Sequence, residues 1–170
     1  MVDLNLSKKF NIFIQQHGHK IFYVSINRSL RCHCYREKEK EGSSECKDCF
    51  GTGFKADVVS YLTRRSVLSD APLGTANRLE RAGEIHQNSY NYYLQEFVNP
   101  KEGDYILEFQ CNNKKNIVGL SMVYMISHTA SHFFDDSTTV YHKCSTRSQP
   151  TSIPHFWRSL VWHINQKNPK

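Results

Sequence analysis

Hydrophobic residues recur at helical spacing near both ends of the chain and at strand spacing between them. From Leu6 to His17, Leu6, Phe10, Phe13 and Ile14 fall near one helical face, Ser7 stands at the start and Gly18 just past the end. This predicts a short opening helix. The run Ile21-Phe22-Tyr23-Val24-Ser25-Ile26 is rich in β-formers and predicts a strand, and Ala56 to Val67, with Val58, Val59, Tyr61 and Leu62, predicts another. Leu68 to Ala82, carrying Pro72 and Gly74, reads as a long loop whose Arg78, Glu80 and Arg81 are candidate contact residues. Glu84 to Phe97 is dense in aromatics and reads as strand. Asn99 to Asp104 is a turn. Tyr105 to Phe109, Leu120 to Ser127 and Thr138 to Cys144 are further strands, separated by turn signals at Asn112-Asn113 and Asp135-Asp136. Pro154 to Gln166 closes as an amphipathic helix with Phe156, Trp157, Leu160, Val161 and Ile164 spaced to cover a groove.

Five or more short strands without helical crossovers predict a mainly β fold, a small antiparallel barrel or sandwich with short N- and C-terminal helices. The 170 residues suit one domain, 1–170, with residues 28–54 inserted between two strands as a metal-binding knuckle. No internal repeat or low-complexity segment interrupts it. No run approaches eighteen consecutive apolar residues, so no membrane span is expected. Mean hydropathy of -0.59 and a net charge of +6 describe a polar, mildly basic surface that permits contact with nucleic acid without demanding it.

The chemistry concentrates in four cysteines. Cys32 and Cys34, then Cys46 and Cys49, lie within eighteen residues, and the second pair opens Cys49-Phe50-Gly51-Thr52-Gly53-Phe54. Two close pairs of thiolates suit a tetrahedral zinc ion, with ligands at about 2.3 Å. Gly51 and Gly53 are the turn-supporting residues, since they permit positive φ and close backbone approach to the sulfurs. His33, between the first pair, is a substitute ligand. Arg36 to Glu41 reads as a solvated loop tip. Four protein ligands leave no open position, so the expected ion is structural, and such ions contribute about 10–16 kcal/mol to folding their own loops.

Two other readings of the cysteines stand beside this one. A disulfide framework requires an oxidising compartment, and no apolar segment with a small-residue cleavage site follows Met1. Thioredoxin-like redox chemistry at Cys46 and Cys49 requires a helix start, which Gly-Thr-Gly does not supply. Elsewhere, His128 and His132 with Asp135 and Asp136 form a weaker candidate for a second metal site, since the preceding residues read as strand. Cys111 and Cys144 are expected as buried small hydrophobes. Tyr90-Asn91-Tyr92-Tyr93 can stack bases, although sheet packing is the commoner fate of such residues. No nucleophile setting and no phosphate-binding glycine loop is recognisable, so no enzymatic activity is expected.

Phe13-Ile14-Gln15-Gln16-His17-Gly18, a strand, Arg31-Cys32-His33-Cys34, and Cys46-Lys47-Asp48-Cys49-Phe50-Gly51-Thr52-Gly53-Phe54 together resemble the zinc-knuckle virion proteins of tailed bacteriophages. The likeness covers Phe13 to about Arg65 and is loose beyond, although Asn99 to Asp104 before the Tyr105 strand also fits; Cys32-x-Cys34 departs from the family's commoner Cys-x-x-Cys. The resemblance implies a structural protein of the neck or head-tail junction, a head-completion connector whose small β-barrel subunits form rings. Its implied partners are copies of itself and neighbouring portal, adaptor or tail proteins; separately, the mild positive charge is a candidate lining for a channel, with nonspecific contact to DNA passing through it. The implied location is the virion, after synthesis in the host cytoplasm. The single Cys-x-x-Cys-x-Gly-x-Gly element also resembles the zinc repeats of DnaJ-type chaperones. A zinc-stabilised nucleic-acid-binding module, or another tail or baseplate component, is the alternative role. Ring subunits need two unlike faces and projecting segments, and the terminal helices are candidates for docking on neighbours.

Overall fold

A computed structural model of the chain describes residues 5–67, 89–113, 117–134, 138–149 and 153–167. The elements are helix α1 (Leu6–His17), strands β1 (His19–Arg31), β2 (Phe54–Val67), β3 (Tyr90–Gln95), β4 (Tyr105–Cys111), β5 (Ile117–Phe134) and β6 (Thr138–Ser148), and helix α2 (Ile153–Lys167). The strands hydrogen-bond in the order β1-β2-β3-β6-β5-β4, and β4 returns to β1, so the antiparallel sheet closes as a barrel and not as a sandwich. Closure gives each of the described strands a hydrogen-bonded neighbour on both sides. Contacts group into two compact units, each assembled from three stretches of chain.

The first unit takes Met1–Ile21, Tyr61–Gly103 and Tyr124–Ser148. Its ladders pair Arg64 with Tyr93, Tyr93 with Lys143, and Lys143 with Ala130. Tyr92, Leu94 and Cys144 are fully buried, and the Tyr92 ring lies 5.5 Å from that of Tyr124. Helix α1 covers part of this sheet by burying Ile14 and stacking Phe10 on Tyr141 at 4.9 Å. Its cap is Asn5, whose side chain accepts from the Lys8 N–H at 2.9 Å. Ser7, expected at the start, is instead buried and donates to Glu96. Phe13, expected on the inner face, is 45% exposed, because Ser7 and Ile14 define the buried stripe.

The second unit takes Phe22–Ser60, Asp104–Val123 and Gln149–Lys170. Here β1 pairs with β4 through Phe22–Leu107, Tyr23–Ile106 and Val24–Tyr105. Asp104, 1% exposed, fixes that junction: it accepts from the Ile26 N–H at 2.9 Å and from the Tyr23 hydroxyl. The apolar core gathers Phe22, Val24, Ile26, Phe50, Val58, Leu107, Val123, Phe156 and Leu160, so it joins β1, β2, β4, β5, the knuckle and α2. Phe156 and Leu160 of α2 are therefore buried in that core, with Trp157 and Ile164 packed against it.

Several sequence-based expectations are corrected. Strand β5 continues past Ser127 to Phe134, and its register shifts between Ile126 and His128 and between His132 and Phe133. Such bulges break the alternation by which a strand is read. Cys111 is exposed at the end of β4, whereas Cys144 is buried as expected. Glu84 to Phe97 contributes β3 only over Tyr90–Gln95; residues 84–88 lie outside the described residues, as do Arg78, Glu80, Arg81, Asp135 and Asp136.

Candidate metal centre

Between the last residue of β1 and the first of β2 the chain folds back twice. The ends are tied where Cys32 N–H donates to Gly53 C=O at 2.8 Å, and Tyr35 N–H donates to Cys32 C=O at 3.0 Å, turning Cys34 inward. Arg36 and Glu41 then pair across a small antiparallel bridge whose tip, Lys40, has φ 54. Residues 36 to 41 are exposed, as expected of a solvated tip. The second fold-back is a turn in which Cys46 N–H donates to Ser43 C=O at 3.0 Å and Thr52 N–H to Cys49 C=O at 3.0 Å.

Left-handed backbone closes this second turn. Gly51 and Gly53, the two glycines singled out by sequence, have φ 79 and 80. Between them and Cys49, Phe50 also adopts φ 52, a conformation that costs a non-glycine residue on the order of 1 kcal/mol or more. Packing offsets that cost, for Phe50 is 3% exposed and its ring stacks on His163 at 5.4 Å and tilts against Phe156 at 5.5 Å. Gly42 is the glycine that sequence reasoning missed. A Cβ on Gly42 would lie 2.4 Å from the Gly53 nitrogen and 3.0 Å from Cys49 Sγ, so the two hairpins pass each other backbone to backbone only because Gly42 lacks a side chain. Its position directly after the charged spacer was the available signal.

The outcome is that all four sulfurs converge. The Sγ atoms of Cys32, Cys34, Cys46 and Cys49 lie within 4.8 Å of one another, with Cys32–Cys46 at 3.6 Å and Cys34–Cys49 at 3.4 Å. Thiolates about 2.3 Å from a tetrahedral ion stand about 3.8 Å apart, whereas a disulfide requires about 2.05 Å. Both of these contacts run between the two Cys pairs, so the pairs face one another across a common point. All four are free thiols, and Cys46-x-x-Cys49 lies in a turn and not at a helix start, so neither the disulfide nor the redox reading fits.

The electrostatics of the cluster favour a cation. Burial pushes the Cys46 thiol up to about 11, and the neighbouring Cys34 and Cys32 add to this against a donor from the Asp48 backbone. Burial raises Cys49 further still, opposed by the Gly53 backbone donor. Cys34, the least buried, is drawn below the usual thiol value: burial acts upward, but the Ser43 backbone donor and the surrounding thiols outweigh it. Four thiolates cannot share so small a volume without a positive charge among them, and backbone N–H groups already point at three of the sulfurs. The donor set therefore fits a soft or borderline divalent ion.

No protein-family model matches the chain, and no curated protein matches it significantly. The centre is thus read from its own geometry.

Helix α2 is the support that sequence reasoning did not assign to this site. Its Phe156 and His163 grip Phe50, the Ser159 hydroxyl donates to the Cys46 carbonyl at 3.4 Å, and His155 bonds to the Phe50 backbone. The signal was the spacing of Phe156, Leu160 and Ile164, which marks a buried face without saying what it meets. The other candidates do not assemble. His128 and His132 sit on β5, where four residues span about 13 Å; His128 Nδ1 meets Glu102 at 3.1 Å and His132 stacks on Tyr141 at 4.6 Å. Tyr92 is fully buried and Tyr90 is half-buried beneath Arg65. Among the described residues, no helix is long and apolar enough to cross a membrane.

Proposed function

We propose that this chain is a non-enzymatic structural subunit of a tailed-phage virion, a ring-forming neck or head-tail connector component whose β1–β2 knuckle is stapled by one structural zinc ion. The convergence of Cys32, Cys34, Cys46 and Cys49 carries this reading. A four-thiolate set leaves no coordination position for water or substrate, so the ion would serve as a fastener. It holds together a segment whose exposed charged tip could not fold on apolar burial alone, and it presents that tip as a rigid projection of the kind ring subunits use toward the next copy. Support for the virion role is the likeness of residues 13 to 65 to phage zinc-knuckle proteins. Imaging of assembled particles tests it: the chain is expected as a ring at the neck or connector, and its absence from purified particles would overturn the role. One zinc per purified chain is the accompanying expectation.

A second reading, a nucleic-acid-binding module, is favoured by one observation. Arg64, Tyr93 and Lys143 are paired in register across β2, β3 and β6, so two cations flank an aromatic ring on one sheet face. Salt-dependent binding of the isolated chain to DNA or RNA would support it.

A further inference from the structure

Two sulfurs of the centre, those of Cys32 and Cys46, belong to a second ligand set. Their Sγ atoms, a ring nitrogen of His33 and a carboxylate oxygen of Asp48 also all lie within 4.8 Å of one another. His33 Nδ1 stands 3.6 Å from Cys32 Sγ and 3.4 Å from Asp48 Oδ2. Nitrogen and oxygen ligands about 2.0–2.1 Å from a tetrahedral ion are about 3.3 Å apart, close to what is found here. The arrangement is awkward for hydrogen bonding, because one ring nitrogen faces both a sulfur and a carboxylate and can donate a single proton. It is natural for ligation, where all three atoms face a common ion.

The two sets differ in their relation to solvent. Cys32 and Cys46 are 4% and 9% exposed, whereas the His33 side chain is 75% exposed. His33, Cys34, Cys46 and Asp48, with Trp162 of α2, line an open hollow of roughly 360 Å³. An ion bound by four cysteines, three of them buried, has to arrive and leave through the side where a ligand is accessible, and that side carries the harder, solvent-facing donors.

We propose that Cys32, His33, Cys46 and Asp48 form a solvent-side seat for a divalent transition-metal ion, through which the four-cysteine centre is loaded and emptied. In loading, Cys34 and Cys49 each release a proton to water and displace His33 and Asp48, while the Cys32 and Cys46 bonds persist; emptying reverses these exchanges. Keeping two thiolates bound throughout avoids a bare ion at any stage. The inference rests on the metal reading of the four cysteines.

Cobalt(II), added to the full chain, tests the seat with an optical readout. The wild-type chain is expected to bind one equivalent with intense thiolate charge-transfer bands; failure to do so would sink the four-thiolate reading itself. H33A/D48N, which keeps all four cysteines, should reach the same end spectrum but take up cobalt, and surrender it to a chelator, more slowly. C34S/C49S, checked for folding by circular dichroism, should still bind one cobalt with weaker thiolate bands, and lose it when His33→Ala is added. Uptake and release rates of H33A/D48N equal to wild type would overturn the proposal, as would a folded C34S/C49S that binds no cobalt.

Discussion

Replacing Cys49 by serine should remove most of the stability that the metal ion supplies. Cys49 is fully buried, its sulfur lies 3.4 Å from that of Cys34, and it stands at the crossing where Gly42 and Gly53 meet. Serine keeps the volume but not the soft anionic ligand, so the remaining three sulfurs hold an ion far more weakly. An ion bound only by the folded state stabilises it by about 4.1 kcal/mol when its free concentration is a thousandfold above Kd. For a chain of this size each kcal/mol moves Tm by about 2–4 °C, so removal should lower Tm by about 8–16 °C. Far-UV circular dichroism melts of wild type and Cys49→Ser, each with zinc and with EDTA, form a closed cycle. Wild type should fall by that interval on chelation, and the variant, left with the weaker set of Cys32, His33, Cys46 and Asp48, should melt well below zinc-loaded wild type and fall by a much smaller interval. A variant that still loses a comparable interval to EDTA, or a wild type indifferent to it, would refute the argument.

Other perturbations reach the same framework from different sides. Gly42→Ala places a Cβ 2.4 Å from the Gly53 nitrogen and should weaken metal binding measurably in a competitive chelator titration, while a substitution at Lys38 on the exposed tip should not. Phe50→Ala removes the side chain held by Phe156 and His163 and should cost about 3–5 kcal/mol in urea melts. Asp104→Ala leaves the buried Ile26 N–H without its acceptor and should cost about 1–3 kcal/mol in the same assay. His155 has its pKa lowered by burial, and its Nε2 is buried with no hydrogen-bond partner, so the folded chain resists protonating it. The unfolded chain takes up that proton near pH 6.5; stability from this group is therefore intact above about pH 6.5 and declines as pH falls below it. His155→Gln should flatten that part of a Tm-against-pH curve, and an unchanged slope would count against the assignment.

Short-range patterns were legible in the chain, and long-range ones were not. Helix α1 follows from its period, and β1, β2 and β4 from dense β-formers between turn residues. The cysteine quartet follows from spacing alone, since two fold-backs with sulfurs close in sequence have few ways to arrange themselves except around a common point. What eluded the sequence depends on which distant partner a residue meets. Asn5 took the cap because Ser7 found Glu96, 89 residues away. The role of α2 depends on contacts such as Ser159 with Cys46, separated by 113 residues. Gly42 matters only because another strand of backbone crosses it. The continuation of β5 through His128 to His132 was hidden by bulges that shift which side chain faces which way.

X-ray absorption at the metal edge of the purified chain tests the central claim most directly. The account predicts about one zinc per chain, surrounded by four sulfurs at about 2.3 Å. A chain that purifies folded without a metal, or whose ion is held mainly by nitrogen and oxygen, would contradict it.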